Sequence, residues 1–161
     1  MTEQLIFETG GVLGASGEPG ARVFTAAMPV RWSDQDLYHH VNHARMITLI
    51  EEARIPWLFE EGLPTATLAA GAVMTDLEVK YRGQVKHADG PIRVRMWCEK
   101  VGGALFVARH EVRGRHTPDT EPPAVECTAR IAAFDLQTQR PRRFTPAERD
   151  YLLEFRHRDA S

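Results

Sequence analysis

The order of apolar and polar positions predicts a strand followed by a long helix in the first part of the chain. From Phe24 to Trp32, apolar side chains alternate with polar or small ones, which is the two-residue period of a strand. Pro56 lies inside the helix pattern that follows, so we expect a kink or a break one turn before Gly62. That helix begins near Asn42, a favoured N-cap type, and its apolar residues recur at helical spacing, namely Met46, Leu49, Ile50, Ala53 and Trp57.

In the middle of the chain, apolar and polar positions alternate with the two-residue period of a strand. Gly102 and Gly103 form a hairpin signal between two of the strand segments. Residues 116–123 contain three prolines and predict an exposed loop. The predicted strands cover about 72–81, 92–101, 104–115 and 124–136.

A capping signal predicts a short helix near the C-terminus. Thr145 is an N-cap type, Pro146 suits the first helical position, and Glu148 completes a capping box. The apolar face of this helix consists of Tyr151, Leu152 and Phe155. The whole order of elements predicts an α+β fold, with one antiparallel sheet around one central helix.

Length and composition fit one domain without a membrane segment. The 161 residues, 43% of them hydrophobic, suffice for one core, which we place in residues 22–161. Residues 1–21 are rich in glycine and predict a flexible leader. A net charge of −2 gives no general attraction to nucleic acid or to an anionic membrane. Because neither a signal-peptide pattern nor a run approaching ~20 apolar residues occurs, we expect a cytoplasmic protein.

The two cysteines do not suggest redox or metal chemistry. Cys98 and Cys127 each fall on the apolar phase of a predicted strand, so we expect both to be buried as small hydrophobes. Their number and spacing predict neither a disulfide framework nor a zinc site.

Candidate chemistry concentrates between the first strand and the long helix. This stretch holds two carboxylates, Asp34 and Asp36, and three histidines, His39, His40 and His43. A helix N-terminus presents unpaired N–H groups that can polarise a carbonyl oxygen, and a nearby carboxylate can attack the carbon or activate water. Acyl transfer is therefore one interpretation. The other is that both aspartates are turn or capping residues, as aspartate often is in such loops.

This stretch resembles the signature of hotdog-fold acyl-CoA thioesterases of the 4-hydroxybenzoyl-CoA thioesterase type. The similarity covers about residues 23–156. It rests on Asp34-x-Asp36-x-x-x-His40-Val41-Asn42, Glu51-Glu52-Ala53-Arg54, Val79-Lys80-Tyr81, Gly102-Gly103, Phe134-Asp135 and Thr145-Pro146, in that order.

The resemblance implies a fold, an assembly and a reaction. The fold would be a hotdog, in which an antiparallel sheet of about five strands wraps a long central helix. Two sheets would meet edge to edge in a homodimer, often paired again into a homotetramer, with active sites at the subunit interface. The reaction would be hydrolysis of an acyl-CoA to a free acid and coenzyme A without metal or organic cofactor, coenzyme A being part of the substrate.

The resemblance also assigns roles to individual residues. Asp36 would be the catalytic carboxylate, as general base or nucleophile, and a backbone N–H of Asn42 or His43 would hold the thioester carbonyl. We expect His40 to orient the loop through hydrogen bonds or to lie in the core as a satisfied imidazole. Arg82 and Lys86, which follow a predicted strand, are candidates for binding the phosphates of coenzyme A.

The chain departs from the common pattern of this family at two positions. His39 stands where glycine is frequent, and His43 where a second asparagine is frequent, which leaves the substrate preference open. Although His39 and His43 have i, i+4 spacing, a helix start between them would spoil a metal site, so we predict none. In another branch of hotdog thioesterases a helix carboxylate is catalytic, but for Glu51 and Glu52 we favour a solvated or salt-bridged face.

Two other functions remain open from the sequence. A hydratase or dehydratase acting on acyl thioesters could use His39 or His40 over the acyl chain. A non-catalytic acyl-CoA-binding module is the other alternative, because fold alone does not determine function.

Overall fold

The computed structural model describes residues 22–157 of the chain. The predicted leader, residues 1–21, lies outside the described residues. Within the described part, no helix is long and apolar enough to cross a membrane. The main elements are β1 (Phe24–Met28), α1 (His43–Leu58), β2 (Ala72–Tyr81), β3 (Ile92–Val101), β4 (Leu105–Arg113), β5 (Val125–Asp135), β6 (Arg140–Pro141) and α2 (Pro146–Glu154).

The strands form one antiparallel sheet in the order β1-β3-β4-β5-β2, with β6 paired to β5. The prediction of an antiparallel α+β fold is thereby confirmed, and the two-residue β6 was not predicted. The hairpin between β3 and β4 is closed at Gly102, whose N–H donates to the carbonyl of Leu105 at 2.8 Å. Strand β2 lies at one edge of the sheet, and most of its side chains are exposed or half-buried.

The first strand is shorter than predicted. Strand β1 ends at Met28, and Trp32 begins a short 3-10 turn in which its side chain is exposed. Pro29 follows Met28 directly, and a proline cannot donate to a strand ladder. The apolar alternation therefore continues past the residue at which strand pairing stops.

Helix α1 packs its apolar stripe against β1 and β3. Its predicted N-cap is confirmed, because the side chain of Asn42 accepts a hydrogen bond from the N–H of Ala44 at 2.9 Å. The helix passes through Pro56 and ends at Leu58, one turn before Gly62 as predicted. Trp57, fully buried near this end, contacts an aromatic ring from β1 and another that follows α2.

Alternation along the sheet separates a buried face from a charged one. In β3, Ile92, Val94, Met96 and Cys98 are buried, whereas Arg93 and Arg95 form ion pairs on the opposite face. Cys98 and Cys127 are free thiols, and the prediction that both are buried is confirmed. Burial raises the pKa of both thiols, that of Cys127 to about 11, so neither is a ready thiolate.

Candidate active site

Asp34 fixes the loop that carries the candidate chemistry. Its buried carboxylate accepts from the N–H of Arg31 at 2.7 Å, and its carbonyl accepts from the N–H of Asn42 at 2.8 Å. Gln35 and Val41 form an isolated antiparallel bridge just inside this contact. The turn-and-cap interpretation therefore describes Asp34 well, and its bonds hold the loop against the start of α1.

Asp36 lies within the closed part of the same loop. Its N–H donates to the carbonyl of His40 at 2.9 Å, and its own carbonyl accepts from the N–H of His39 at 3.0 Å. One carboxylate oxygen, Oδ1, accepts from the N–H of Tyr38 at 2.9 Å, and no hydrogen bond within residues 22–157 uses the other. The half-buried Asp36 thus combines a fixed backbone with a free carboxylate oxygen.

An open cavity lies next to this carboxylate. It has a volume of about 550 Å³ and is lined by Trp32, Gln35, Asp36, Leu37 and His39. The side chains of Trp32 and Leu37 are largely exposed in the single chain. Asp36 therefore faces a space large enough to receive part of a small ligand.

The first N–H of α1 is available as a donor beside the loop. The N–H of Asn42 is engaged by the carbonyl of Asp34, and the N–H of Ala44 by the side chain of Asn42. The N–H of His43, the first residue of the helix, has no partner among the described residues. Of the two carbonyl-binding groups predicted from the sequence, only the N–H of His43 is available.

His40 contributes to the loop through its backbone carbonyl and not through its side chain. His40 is half-buried, and its carbonyl closes the turn by accepting from the N–H of Asp36. Its imidazole makes no hydrogen bond within the described part of the chain, so the ring neither anchors the loop nor lies satisfied in the core. His39 is exposed and adopts a positive φ of 59°, in the left-handed region.

A second loop, which follows β2, packs against the Asp36 loop. The carbonyl of Val85 accepts from the N–H of Val41 at 2.7 Å, and the N–H of His87 donates to Gln35 Oε1 at 3.0 Å. Lys86 lies between these two contacts and is exposed. The packing therefore places Lys86 beside the candidate site.

Arg82, the other candidate phosphate-binding residue, already has a partner. Its Nη2 lies 3.2 Å from Glu126 Oε2, in an exposed ion pair. Such pairs contribute little to stability and exchange readily with solvent. Arg82 can therefore turn toward a phosphate at small cost.

Two further groups complete the surroundings of the helix start. The hydroxyl of Tyr81, at the end of β2, donates to the carbonyl of His43 at 3.0 Å, which ties the sheet edge to the helix. Glu51 is exposed, and within residues 22–157 neither Glu51 nor Glu52 makes an ion pair, so the solvated face that we favoured is found without the salt bridges. No cluster of His, Cys, Asp and Glu in that range could hold a metal ion.

Solved structures share this fold. A predicted thioesterase from Bacillus stearothermophilus superposes with a TM-score of 0.71 at 20% identity, over 86% of this chain and 99% of that one. A thioesterase from Thermus thermophilus, complexed with coenzyme A and Zn, gives 0.67 at 24% identity over 83% and 95%. A DHNA-CoA thioesterase from Staphylococcus aureus gives 0.62 at 20% identity over 75% and 80%. At these identities the similarity establishes a common hotdog-type fold.

The sequence itself identifies the family. Residues 30–152 match the thioesterase-like superfamily, so the chain belongs to that superfamily. The matched segment includes the Asp36 loop, all of α1 and strands β2 to β5. No curated protein matches the chain. The predicted membership of a hotdog thioesterase family is confirmed.

Sequence reasoning missed the contacts that join the two loops. Gln35 and Val85 carry no chemistry that would mark them, and Tyr81 is marked only as part of the family pattern. All three act through partners distant in sequence, for which a local pattern gives no signal. The tyrosine was recognisable only as a polar tip at the end of a predicted strand.

Proposed function

We propose that the protein hydrolyses an acyl-CoA thioester, with Asp36 as the catalytic carboxylate. The observation that carries the proposal is the loop that holds Asp36, with one free carboxylate oxygen, beside the unpaired N–H of His43. Carboxylate and oxyanion donor are the two functions that acyl transfer requires. Membership of the thioesterase-like superfamily supports the same reaction.

The proposed reaction has two bond changes at the carbonyl carbon. Asp36 takes a proton from water as the water oxygen attacks, or attacks the carbon itself to form an acyl-enzyme anhydride that water then cleaves. The developing oxyanion accepts a hydrogen bond from the N–H of His43, where the helix dipole favours negative charge. The C–S bond then breaks, and coenzyme A leaves as the thiol after protonation.

The coenzyme A moiety would extend over the neighbouring loop. Lys86 is exposed between two backbone contacts to the Asp36 loop, and Arg82 stands four residues earlier. Both cations would suit the phosphates of the substrate. A bound coenzyme A in the Thermus thermophilus relative supports this part of the proposal.

We also infer that α1 is the central helix of a hotdog and that β2 forms the edge where two chains meet. Strand β2 is at the end of the sheet, with large apolar side chains exposed at Met74 and Tyr81. Leu37 and Tyr38, beside Asp36, are 94% and 77% exposed in the single chain. A homodimer that covers this edge and this loop would place the active site at the interface.

Thiol release from a panel of short, long and aromatic acyl-CoAs tests the reaction class. We expect wild-type protein to release free thiol from at least one member, together with the free acid. A change in enoyl absorbance without thiol would instead favour a hydratase. Tight binding without turnover across the panel would favour a binding module.

A further inference from the structure

Gln35, the residue before Asp36, has a side-chain amide whose orientation is fixed by the second loop. Its Oε1 accepts a hydrogen bond from the backbone N–H of His87 at 3.0 Å. A backbone N–H can only donate, so the amide atom that faces His87 is the oxygen and Nε2 points elsewhere. Nε2 is not buried, and it makes no hydrogen bond with residues 22–157. Gln35 therefore presents N–H donors that are free to bind a ligand.

Gln35 lines the cavity beside Asp36. The two side chains share this cavity, whose volume is about 550 Å³. The free carboxylate oxygen of Asp36 accepts hydrogen bonds, whereas the amide nitrogen of Gln35 is a neutral donor. A ligand in the cavity can therefore offer a carbonyl oxygen to Gln35 without bringing a second negative charge toward Asp36.

Gln35 also lies between two groups that the proposed function assigns to different parts of the substrate. On one side is Asp36, which acts on the thioester. On the other side is His87, whose neighbour Lys86 would bind the phosphates of coenzyme A. In coenzyme A the sulfur and the phosphates are joined by the pantetheine arm, which contains amide groups. An amide carbonyl of this arm is thus the acceptor that fits the position of Gln35.

We propose that Gln35 is a substrate-binding residue whose Nε2 donates a hydrogen bond to an amide carbonyl of the pantetheine arm. The inference rests on the proposed function, which supplies the acyl-CoA. Because His87 holds the amide in place before the substrate binds, little further side-chain entropy is lost on binding. The thioester carbonyl is the competing acceptor, but in the proposed reaction the N–H of His43 serves it.

Calorimetry with two ligands tests this role without requiring turnover. Coenzyme A carries the pantetheine arm, and phosphoadenosine diphosphate, its nucleotide part, lacks the arm. Gln35→Met keeps the length of the side chain and removes the amide, so we expect it to bind coenzyme A about three- to tenfold more weakly than wild type. Its affinity for the nucleotide part should stay at the wild-type value. Lys86→Met is the matched control, and it should weaken the binding of both ligands by a similar factor.

The hydrogen bond from His87 can be removed without changing Gln35. His87 begins a short 3-10 turn, His87–Asp89, and Lys86 before it has the extended backbone (φ −116°, ψ 163°) that a following proline favours. His87→Pro should therefore fold, but it has no N–H to orient the amide. His87→Ala loses the same imidazole and keeps the N–H. We expect His87→Pro to bind coenzyme A about threefold more weakly than His87→Ala, with equal binding of the nucleotide part.

The possible results separate this role from the hydrolysis. Unchanged coenzyme A binding in Gln35→Met would overturn the inference, and so would an equal loss for both ligands, which would mean that the loop around Lys86 has moved. Equal coenzyme A binding by the two His87 variants would overturn the orienting role of His87. None of these results bears on thioester hydrolysis.

Two further results concern the proposed function itself. Failure of wild-type protein to bind either ligand would contradict the inference and the proposed function together. Coenzyme A binding that weakens in Gln35→Met as expected, without thiol release from any acyl-CoA, would leave the role of Gln35 standing and remove the hydrolysis.

Discussion

At the scale of single residues, His39 shows how the backbone explains a departure from the family pattern. Glycine is frequent at this position, and the observed φ of 59° is the left-handed conformation that glycine adopts without strain. Histidine tolerates this region better than β-branched residues do, although a non-glycine residue there costs about 1–2 kcal/mol. The imidazole lines the cavity beside Asp36, so the substitution changes the cavity wall and leaves the turn intact.

We therefore expect two substitutions at His39 to differ sharply in stability. His39→Gly should have a free energy of unfolding within about 1 kcal/mol of wild type, because relief of strain offsets the entropy of glycine. His39→Val should be less stable than His39→Gly by about 1–2 kcal/mol. Urea unfolding of the three proteins measures this, and equal stability of the two variants would refute the strain argument. Retained thiol release in His39→Gly would exclude a catalytic imidazole here.

At the scale of elements, the start of α2 is held by a buried carboxylate. Glu148 is fully buried and accepts from Thr67 Oγ1 at 2.6 Å, from the N–H of Thr145 at 2.7 Å, and from both terminal nitrogens of Arg142. Burial alone would raise the pKa of Glu148, but these hydrogen bonds outweigh it and lower the pKa to about 2. A capping box predicted from three residues thus gains two further partners, the distant Thr67 and the nearby Arg142, which the capping pattern does not mark.

The lowered pKa makes part of the stability depend on pH. Because the unfolded carboxyl has a pKa of about 4.3, Glu148 contributes fully above that pH and loses its contribution as pH falls toward about 2. We expect the free energy of unfolding of Glu148→Gln to fall less over this window than that of wild type, by on the order of 2 kcal/mol. Chemical unfolding at several pH values measures both, and parallel curves would contradict the assignment.

At the scale of the whole molecule, local patterns predicted elements better than they predicted contacts. Strand β3 has the predicted bounds because its strict alternation is flanked by Pro91 and Gly102. The predicted first strand instead continues past Pro29, whereas the observed β1 ends at Met28. The Asp36 loop was recognisable because its residues are contiguous. Tyr81 and His43 meet only because the end of β2 packs beside the start of α1, so their hydrogen bond could not be predicted from a local pattern.

The exposed edge of the sheet predicts an oligomer. Leu37, Tyr38, Met74 and Tyr81 leave apolar surface uncovered on the Asp36 loop and on β2, more than isolated exposed residues would explain. Sedimentation velocity at assay concentrations should give a mass of at least twice the 18.1 kDa of one chain. A fully active monomer would contradict the placement of the active site at an interface.

The central claim is that Asp36, and no carboxylate of the helix, carries the reaction. The most direct test compares thiol release by Asp36→Asn and Glu51→Gln on the best acyl-CoA of the panel. The asparagine keeps an oxygen to accept from the N–H of Tyr38, so the loop should fold normally while turnover falls ~10²–10⁴-fold. Glu51→Gln, at an exposed position of α1, should keep wild-type turnover. Full activity in a folded Asp36→Asn protein, or its loss in Glu51→Gln alone, would contradict the account.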